Sequence, residues 1–403
     1  MNNWPGYISW WRSSLLNCLD KLAEKIIAER LIYFAETADL LYFDQIDSRK
    51  QKSAIDAAIS VLSDIEINKH KKKLISILFM NVKRAFSNVN KSQLLETCYN
   101  LKFLSACVSW IHSFFHDRKI LLVFDNEKMN HSVDFNTDIS QESPVSSILW
   151  LIYISQLFKE NHSKLTVRMP SYMDDIALVA ASKSVHENCQ MLQKAAEQLI
   201  NWGTSHHIQF DMKKTELIHF DHSDKSLKKS VKIMKNRIFS QEIVRWLGVW
   251  FDRKLSFKYH VEKRIADTSR MFYSISRLAN TERDLSFQAM RRLYITCITS
   301  IADYEVSVWW KNQQFLLNKF NKLQNSALLK ILGAFKNSSV SAMEIEAALP
   351  PTKVRFDKLC KNYALRILQM QDSHSVKQRV TSNSPFLREI NLIKLIAESK
   401  SLQ

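Results

Sequence analysis

Residues 165–181 read Leu165-Thr166-Val167-Arg168-Met169-Pro170-Ser171-Tyr172-Met173-Asp174-Asp175-Ile176-Ala177-Leu178-Val179-Ala180-Ala181. Two apolar runs, Leu165–Met169 and Ile176–Ala181, flank adjacent carboxylates. The pattern predicts a β-hairpin with Tyr172–Asp175 at its tip, where two negative charges face a ligand instead of a core. Adjacent carboxylates repel each other and are costly to hold together unless a cation neutralises them. In a chain of formal net charge +17, an acidic tip points to a divalent-metal site set in a basic surface. A chain with 40 acidic residues should contain one Asp-Asp pair by chance, so the weight of this pair depends on its surroundings.

The chain has 403 residues, 46% hydrophobic and 24% charged, which is ordinary globular composition with room for two or three subdomains. Lys and Arg outnumber Asp and Glu by 57 to 40. Such an excess favours a polyanionic partner, most simply nucleic acid, although charge also serves solubility alone. The six cysteines are spread without a metal-clip or redox spacing, so reduced intracellular thiols are expected. No signal peptide is visible, and the apolar stretch 145–158 is too short and interrupted to span a bilayer. Only 4 glycines occur, where average usage of about 7% gives roughly 28. Turns that need positive φ have therefore lost, or never had, their usual residue.

Working outward from the hairpin, apolar residues at Leu19, Leu22, Ile26, Ile27, Leu31 and Phe34 predict a helix over 17–41, with Asn17 as N-cap. A second helix is expected over 51–66. A basic run at 69–73 precedes a β-like segment, Leu74–Val82, followed by a helix over Gln93–Leu104. A polar loop over 125–143 leads into an apolar helix, Pro144–Phe158. An amphipathic helix is expected over 184–202 and strands near 208–210 and 215–220. A Lys-rich stretch over 225–237 precedes a hairpin at Val244–Phe251, and the chain beyond residue 260 is mainly helical. This order gives an α+β domain with an antiparallel sheet. It sets the side chain of Asn81 beside those of Asp174 and Asp175.

These segments carry a resemblance. Leu15–Ile26 and Ser48–Ala54 resemble two fingers blocks, Phe79–Val89 the first palm motif, and Ser143–Leu149 a template- and nucleotide-contacting loop and helix. Tyr172–Asp175 resembles a catalytic hairpin, Lys213-Lys214-Thr215 a lysine motif, Trp246-Leu247-Gly248-Val249 a primer-gripping hairpin, and 323–355 a segment downstream of the thumb. In this order they resemble the reverse transcriptase domain of non-LTR retrotransposons, most like those of filamentous fungi. The resemblance implies a right-hand polymerase with partial fingers (1–75), an RRM-like antiparallel palm (76–222), a basic segment with the primer-grip hairpin (223–260), and a helical thumb and C-terminal region (261–403).

It further implies RNA-directed DNA synthesis by two-metal nucleotidyl transfer, with Mg²⁺ or Mn²⁺ as cofactor. The partners would be an RNA template, a DNA primer and deoxynucleotide triphosphates, without a membrane and, if functional, in the nucleus. Asp174 and Asp175 would hold metal, with the Val82 carbonyl also facing it. Lys214 would be the acid for the leaving pyrophosphate, and Phe86 the aromatic that selects deoxynucleotides. Gln141, Ser143 and Pro144 would lie against template and nucleotide. Taken alone, Phe86 reads as a core aromatic, Lys214 as a solvated charge, and Lys225, Lys228, Lys229, Lys232, Lys235 and Arg237 as a solvated face as readily as a phosphate track.

The chain departs from the family where chemistry is most demanding. Asn81 stands where a third metal-binding Asp is expected, and hard Mg²⁺ prefers anionic oxygen. Losing about 4 kcal/mol of metal-dependent stabilisation lowers the rate about a thousandfold. Arg84 replaces a usual glycine, Ser87 an acidic residue, and Ser140-Gln141-Glu142 a usual Pro-Gln-Gly. The carry-over of a triphosphate-binding arginine to Arg12 is weak, because the segment before Leu15 is about one residue short. No endonuclease region before this core and no RNase H region after it is expected. The activity is thus expected to be degenerate, with a non-catalytic nucleic-acid-binding module or an unselected relic as alternatives.

Overall fold

A computed structural model describes residues 18–116, 120–124, 127–131, 139, 143–162, 164–221, 223–277, 285–372 and 374–381. Its first elements are α1 (Cys18–Thr37), α2 (Ala54–His70), β1 (Leu74–Lys83), α3 (Lys91–Asn100), α4 (Ser105–Phe115), β2 (Ile120–Phe124), β3 (Glu127–His131) and α5 (Pro144–His162). The acidic hairpin follows as β4 (Ser171–Tyr172) and β5 (Asp175–Ser182), then α6 (Val185–Ser205), β6 (Gln209–Phe210) and β7 (Glu216–Phe220). Two further hairpins are β8 (Ser230–Ile233) with β9 (Asn236–Phe239), and β10 (Ile243–Trp246) with β11 (Val249–Asp252). The rest is helical: α7 (Lys258–Ser276), α8 (Phe287–Leu293), a π-helical stretch 294–298, α9 (Thr299–Ala302), α10 (Val306–Trp309), α11 (Gln314–Leu332), α12 (Val340–Glu346), α13 (Thr352–Gln369) and α14 (Ser375–Thr381).

β1 is the centre of an antiparallel sheet, paired with β5 on one side and with β7 and β6 on the other. Its near-continuous apolar run suits a strand buried on both faces. Ile75, Ile77 and Phe79 face a core with α2, β10, β11 and the C-terminal helices, whereas Leu78, Met80 and Val82 face a core with α1, α5 and α6. α5 is buried nearly all round, as its unbroken hydrophobicity requires. Ser143 and Pro144 start it, the Ser143 Oγ accepting from the Val145 N–H at 3.3 Å and Pro144 occupying the first turn. α6 opens on Ser184, whose hydroxyl accepts from the Glu187 N–H at 3.1 Å. Near its end, Gly203 lets the chain turn back, since a Cβ there would meet the Ile208 carbonyl at 2.7 Å.

Several expectations shift. Asn17 lies outside the described residues, and only part of the apolar stripe expected of α1 faces the core: Leu31 is buried and Ile27 and Phe34 pack against the core beside buried Ala28 and Ala35, whereas Leu19, Leu22 and Ile26 are exposed. Small residues at 28 and 35 suit close approach to α5. The helix expected over Gln93–Leu104 is α3, which stops at Asn100; 101–104 form a turn before α4, where Lys102 takes φ +57°. Leu165–Met169 forms only one bridge, Arg168 to Val179, because Arg168 is drawn into an ion cluster. Within 125–143, Glu127–His131 pair as β3 with β2, and the Lys-rich stretch contains a hairpin, β8–β9.

The C-terminal helices are bound to α2 and the segment before it through buried charge. Asp44 accepts from Arg168 at 2.6 Å and from Arg379 of α14 at 2.6 Å, and Arg379 also donates to Ser60 at 2.7 Å. Burial alone would raise the Asp44 carboxyl, but the two guanidinium groups outweigh it and hold it below its ordinary value. Asp56 accepts from Tyr363 at 2.8 Å and from Arg366, both on α13.

Fifteen described residues other than glycine have φ near +50–60°, among them Arg84, Met173, Leu247 and Glu305. The glycine shortage is therefore met by ordinary residues held in the left-handed region, at about 1–2 kcal/mol each. Glu305 adds a buried carboxyl to its strain: burial pushes it up to about 8, only partly offset by the Tyr304 hydroxyl and Arg264.

Three outcomes follow. Arg379→Met leaves Asp44 with a single cation and should cost about 3–5 kcal/mol in urea unfolding. Arg84→Gly relieves an exposed left-handed residue and should add about 0.5–1 kcal/mol by the same assay. Glu305 has its folded pKa raised, so its contribution to stability is lost as pH rises from about 4.5 through about 8. Glu305→Gln should flatten the fall of Tm across that window.

Candidate active site

The register of β1 and β5 sets Asn81 directly opposite Asp175. Tyr172 pairs with Asp175, so Met173 and Asp174 form a two-residue turn. Met173 takes φ +53°, a position that normally favours Gly, Asn or Asp. Neighbours hold this strained turn. The indole N–H of Trp150 donates to the Met173 carbonyl at 3.2 Å, and the Val82 N–H donates to the Asp174 carbonyl at 2.8 Å. Asp47 is buried near Met173; burial pushes its carboxyl up to about 6, against the lowering effect of the Met173 N–H.

One nitrogen joins the three polar side chains. Nδ2 of Asn81 donates to Oδ2 of Asp174 at 2.8 Å and to Oδ1 of Asp175 at 3.0 Å. Burial raises the Asp175 carboxyl; the Asn81 donation lowers it, the Asp174 charge raises it, and the Lys214 charge lowers it. Lys214 is exposed, on the turn after Asp211, whose N–H donates to the Asn81 carbonyl at 2.8 Å. It is thus close enough to act on Asp175 through its charge.

The other predicted residues surround this centre. Val82 is buried and paired with Phe210 of β6. Phe86 is half-buried, its ring 6.3 Å from that of Trp150, the residue that holds the hairpin turn. Ser143 is buried and donates to Glu24 of α1 at 2.5 Å, which ties the start of α5 to the fingers-like helix. Gln141 lies outside the described residues, as do Ser140, Glu142 and Arg12.

The β10–β11 hairpin docks against the same end of the sheet. Trp246 packs on Phe79 at 5.4 Å, two residues along β1 from Asn81. Its turn, Leu247-Gly248, has φ of +47° and +83°, which fits a type I′ turn. Tyr304 braces it: the hydroxyl donates to the Leu247 carbonyl at 3.0 Å, and a Cβ at Gly248 would meet the ring at 2.8 Å. Trp150 and Tyr304 escaped the sequence reading. Each is an ordinary aromatic in a helical stretch, and its role depends on a long-range hydrogen bond that periodicity does not encode.

A two-ion centre needs anionic oxygen around each cation. This site offers two carboxylates and a neutral amide whose N–H groups already point at both. Among the described residues no group of three His, Cys, Asp or Glu side chains is placed to hold a metal ion. The residues present do not fit a two-ion centre. Chemically, the amide stands where a cation would neutralise the acidic pair.

Residues 6–251 match the family described as reverse transcriptase (RNA-dependent DNA polymerase). The chain is similar to a probable RNA-directed DNA polymerase from transposon BS of Drosophila melanogaster, 23% identical over 79% of this chain and 35% of the relative. It is also similar to the RNA-directed DNA polymerase from mobile element jockey of Drosophila funebris, 23% identical over 91% of this chain and 40% of the relative. The chain thus spans well under half the length of these curated relatives. Among solved structures, apo telomerase from Candida tropicalis matches with a TM-score of 0.44 and 9% identity, over 93% of this chain and 61% of that one. No helix among the described residues is long and apolar enough to cross a membrane. With the family match covering 6–251 and the acidic hairpin opposite the end of β1, the chain belongs to the reverse transcriptase family, of the kind carried by non-LTR retrotransposons.

Proposed function

We propose that the chain is the polymerase core of a non-LTR element whose RNA-directed DNA synthesis is impaired at the chemical step. The observation that carries this is the Asn81 amide, bonded at once to Asp174 and Asp175. In this reading Asp174 and Asp175 are what remains of a three-carboxylate set for Mg²⁺ or Mn²⁺, with the Val82 carbonyl beside them. Cations bind weakly, because a metal must displace the amide and finds one charge fewer.

The remaining assignments belong to the same proposal. Phe86 limits the sugar of an incoming deoxynucleotide, Lys214 supplies a proton or charge to its leaving group, and Gln141, Ser143 and Pro144 line the template and nucleotide path. The divisions at residues 75, 222 and 260 separate fingers, palm, primer grip and thumb. RNA template and DNA primer are the partners, and the nucleus is where an active ancestor would have worked. The affinity to elements of filamentous fungi rests on the sequence motifs alone.

A second reading, nucleic-acid binding without catalysis, is favoured by the net charge of +17 and by the exposed lysines. It is compatible with the first, since weakened metal binding removes chemistry and leaves phosphate contacts intact.

Primer extension on an RNA template, in Mg²⁺ and in Mn²⁺, tests the impairment. The unaltered chain should fall about a thousandfold below Asn81→Asp, the equivalent of about 4 kcal/mol. Comparable, robust synthesis by both would contradict it. Thermal melting gives a readout independent of activity. A third carboxylate beside Asp174 and Asp175 should lower the Tm of Asn81→Asp without metal and restore it with millimolar Mn²⁺. The unaltered chain should show little response.

A further inference from the structure

The β8–β9 hairpin lies outside the acidic centre and is chemically distinct from it. Residues 225–239 contain Lys225, Lys228, Lys229, Lys232, Lys235 and Arg237 and no carboxylate. All six cations are exposed, and none forms an ion pair among the described residues. The hairpin's inner face is apolar: Val231 and Ile233 are buried and Ile238 partly so, in the core shared with α6. The period of two in a strand then sends Lys232, Arg237 and Phe239 outward.

The register makes that outward face costly in isolation. Lys232 lies directly opposite Arg237, and Ser230 opposite Phe239. Like charges directly opposite on an antiparallel pair destabilise it. Phe239 is 54% exposed beside the Arg237 guanidinium, which sits 5.9 Å from its ring centroid, and Met234 at the turn is 51% exposed. In water the opposed cations repel, and the ring is engaged only by the Arg237 guanidinium. A ligand that brings phosphates and a stackable base satisfies both.

The hairpin is anchored on one side of the sheet, opposite to β10–β11. The base of the hairpin is tied to the middle of the sheet, through the Gln241 N–H to the Leu217 carbonyl at 2.8 Å. Its apolar side joins the core that holds Leu78 and Leu217, whereas β10–β11 joins the core on the other face of the sheet.

We propose that the outward face of β8–β9, with Lys232, Arg237 and Phe239 at its centre, is a binding surface for single-stranded nucleic acid separate from the primer–template cleft. Lys and Arg hold the phosphates while Phe239 stacks a base, an arrangement a duplex would not satisfy because its bases are already stacked. The surface does not depend on metal or on Asn81.

Fluorescence anisotropy with the full chain and oligonucleotides of about 15 nucleotides, one RNA and one DNA, tests this without primer, nucleotide or divalent metal. Lys232→Ser/Arg237→Thr should weaken binding about tenfold or more and make the log–log salt dependence shallower by about 1.4, about 0.7 for each lost phosphate contact. Phe239→Ser should weaken it about fivefold or more. Lys358→Ser/Lys361→Ser on α13, which removes the same charge elsewhere, should stay within about twofold. Relief of the opposed charges should keep the Tm of the free double variant at or above that of the unaltered chain, which separates lost binding from lost folding. Loss in both oligonucleotide arms supports a shared backbone-and-base surface, and loss in one identifies the strand. Unchanged affinity in the hairpin variants, or equal loss in the α13 variant, would overturn the proposal.

Discussion

The antiparallel register between the central strand and the acidic hairpin is the constraint on which this molecule depends. It brings Asn81 opposite Asp175 and sets Asp174 at the turn, so the pair's repulsion must be answered at that point. Here the answer is a single amide nitrogen bonded to both carboxylates. A hydrogen bond to a charged group contributes roughly 1.5–3 kcal/mol and keeps the hairpin closed without a cation. The same contact blocks the place where a cation would act. In the proposed reading, Asn81 thus preserves the architecture of the site while removing part of its chemistry.

Support for that register extends well beyond the site. Trp150 and Val82 hold the turn, Tyr304 holds the neighbouring hairpin, and α13 and α14 grip α2 and the segment before it through Asp56 and Asp44. The C-terminal helices are thus part of the core that backs the sheet. Left-handed backbone at Met173 and Leu247 is kept in place by these contacts, which explains how a chain with 4 glycines retains its turns.

Much of this was legible in the sequence, for identifiable reasons. The unbroken apolar runs Leu74–Val82 and Ile176–Ala181 and the three-to-four spacing of the 184–202 helix mark their elements, and the approach of Asn81 to the acidic pair followed from element order. What was not legible depends on tertiary context. Leu19, Leu22 and Ile26 have helical spacing but are exposed, because α1 docks through Ala28, Leu31 and Ala35. Arg168 sits in an apolar run yet leaves the strand pattern for a buried ion cluster. The Lys-rich stretch read as charge without structure, because its inward residues, buried Val231 and Ile233 and partly buried Ile238, alternate too briefly to signal a hairpin. The direction of the Asn81 amide, which decides the chemistry, has no sequence signature.

The most direct measurement is anomalous diffraction from crystals of the unaltered chain grown in millimolar Mn²⁺. With the amide bonded to both carboxylates, the account predicts no pair of manganese peaks between Asp174, Asp175 and Asn81. Two well-occupied peaks there, with the Asn81 amide turned away, would contradict it.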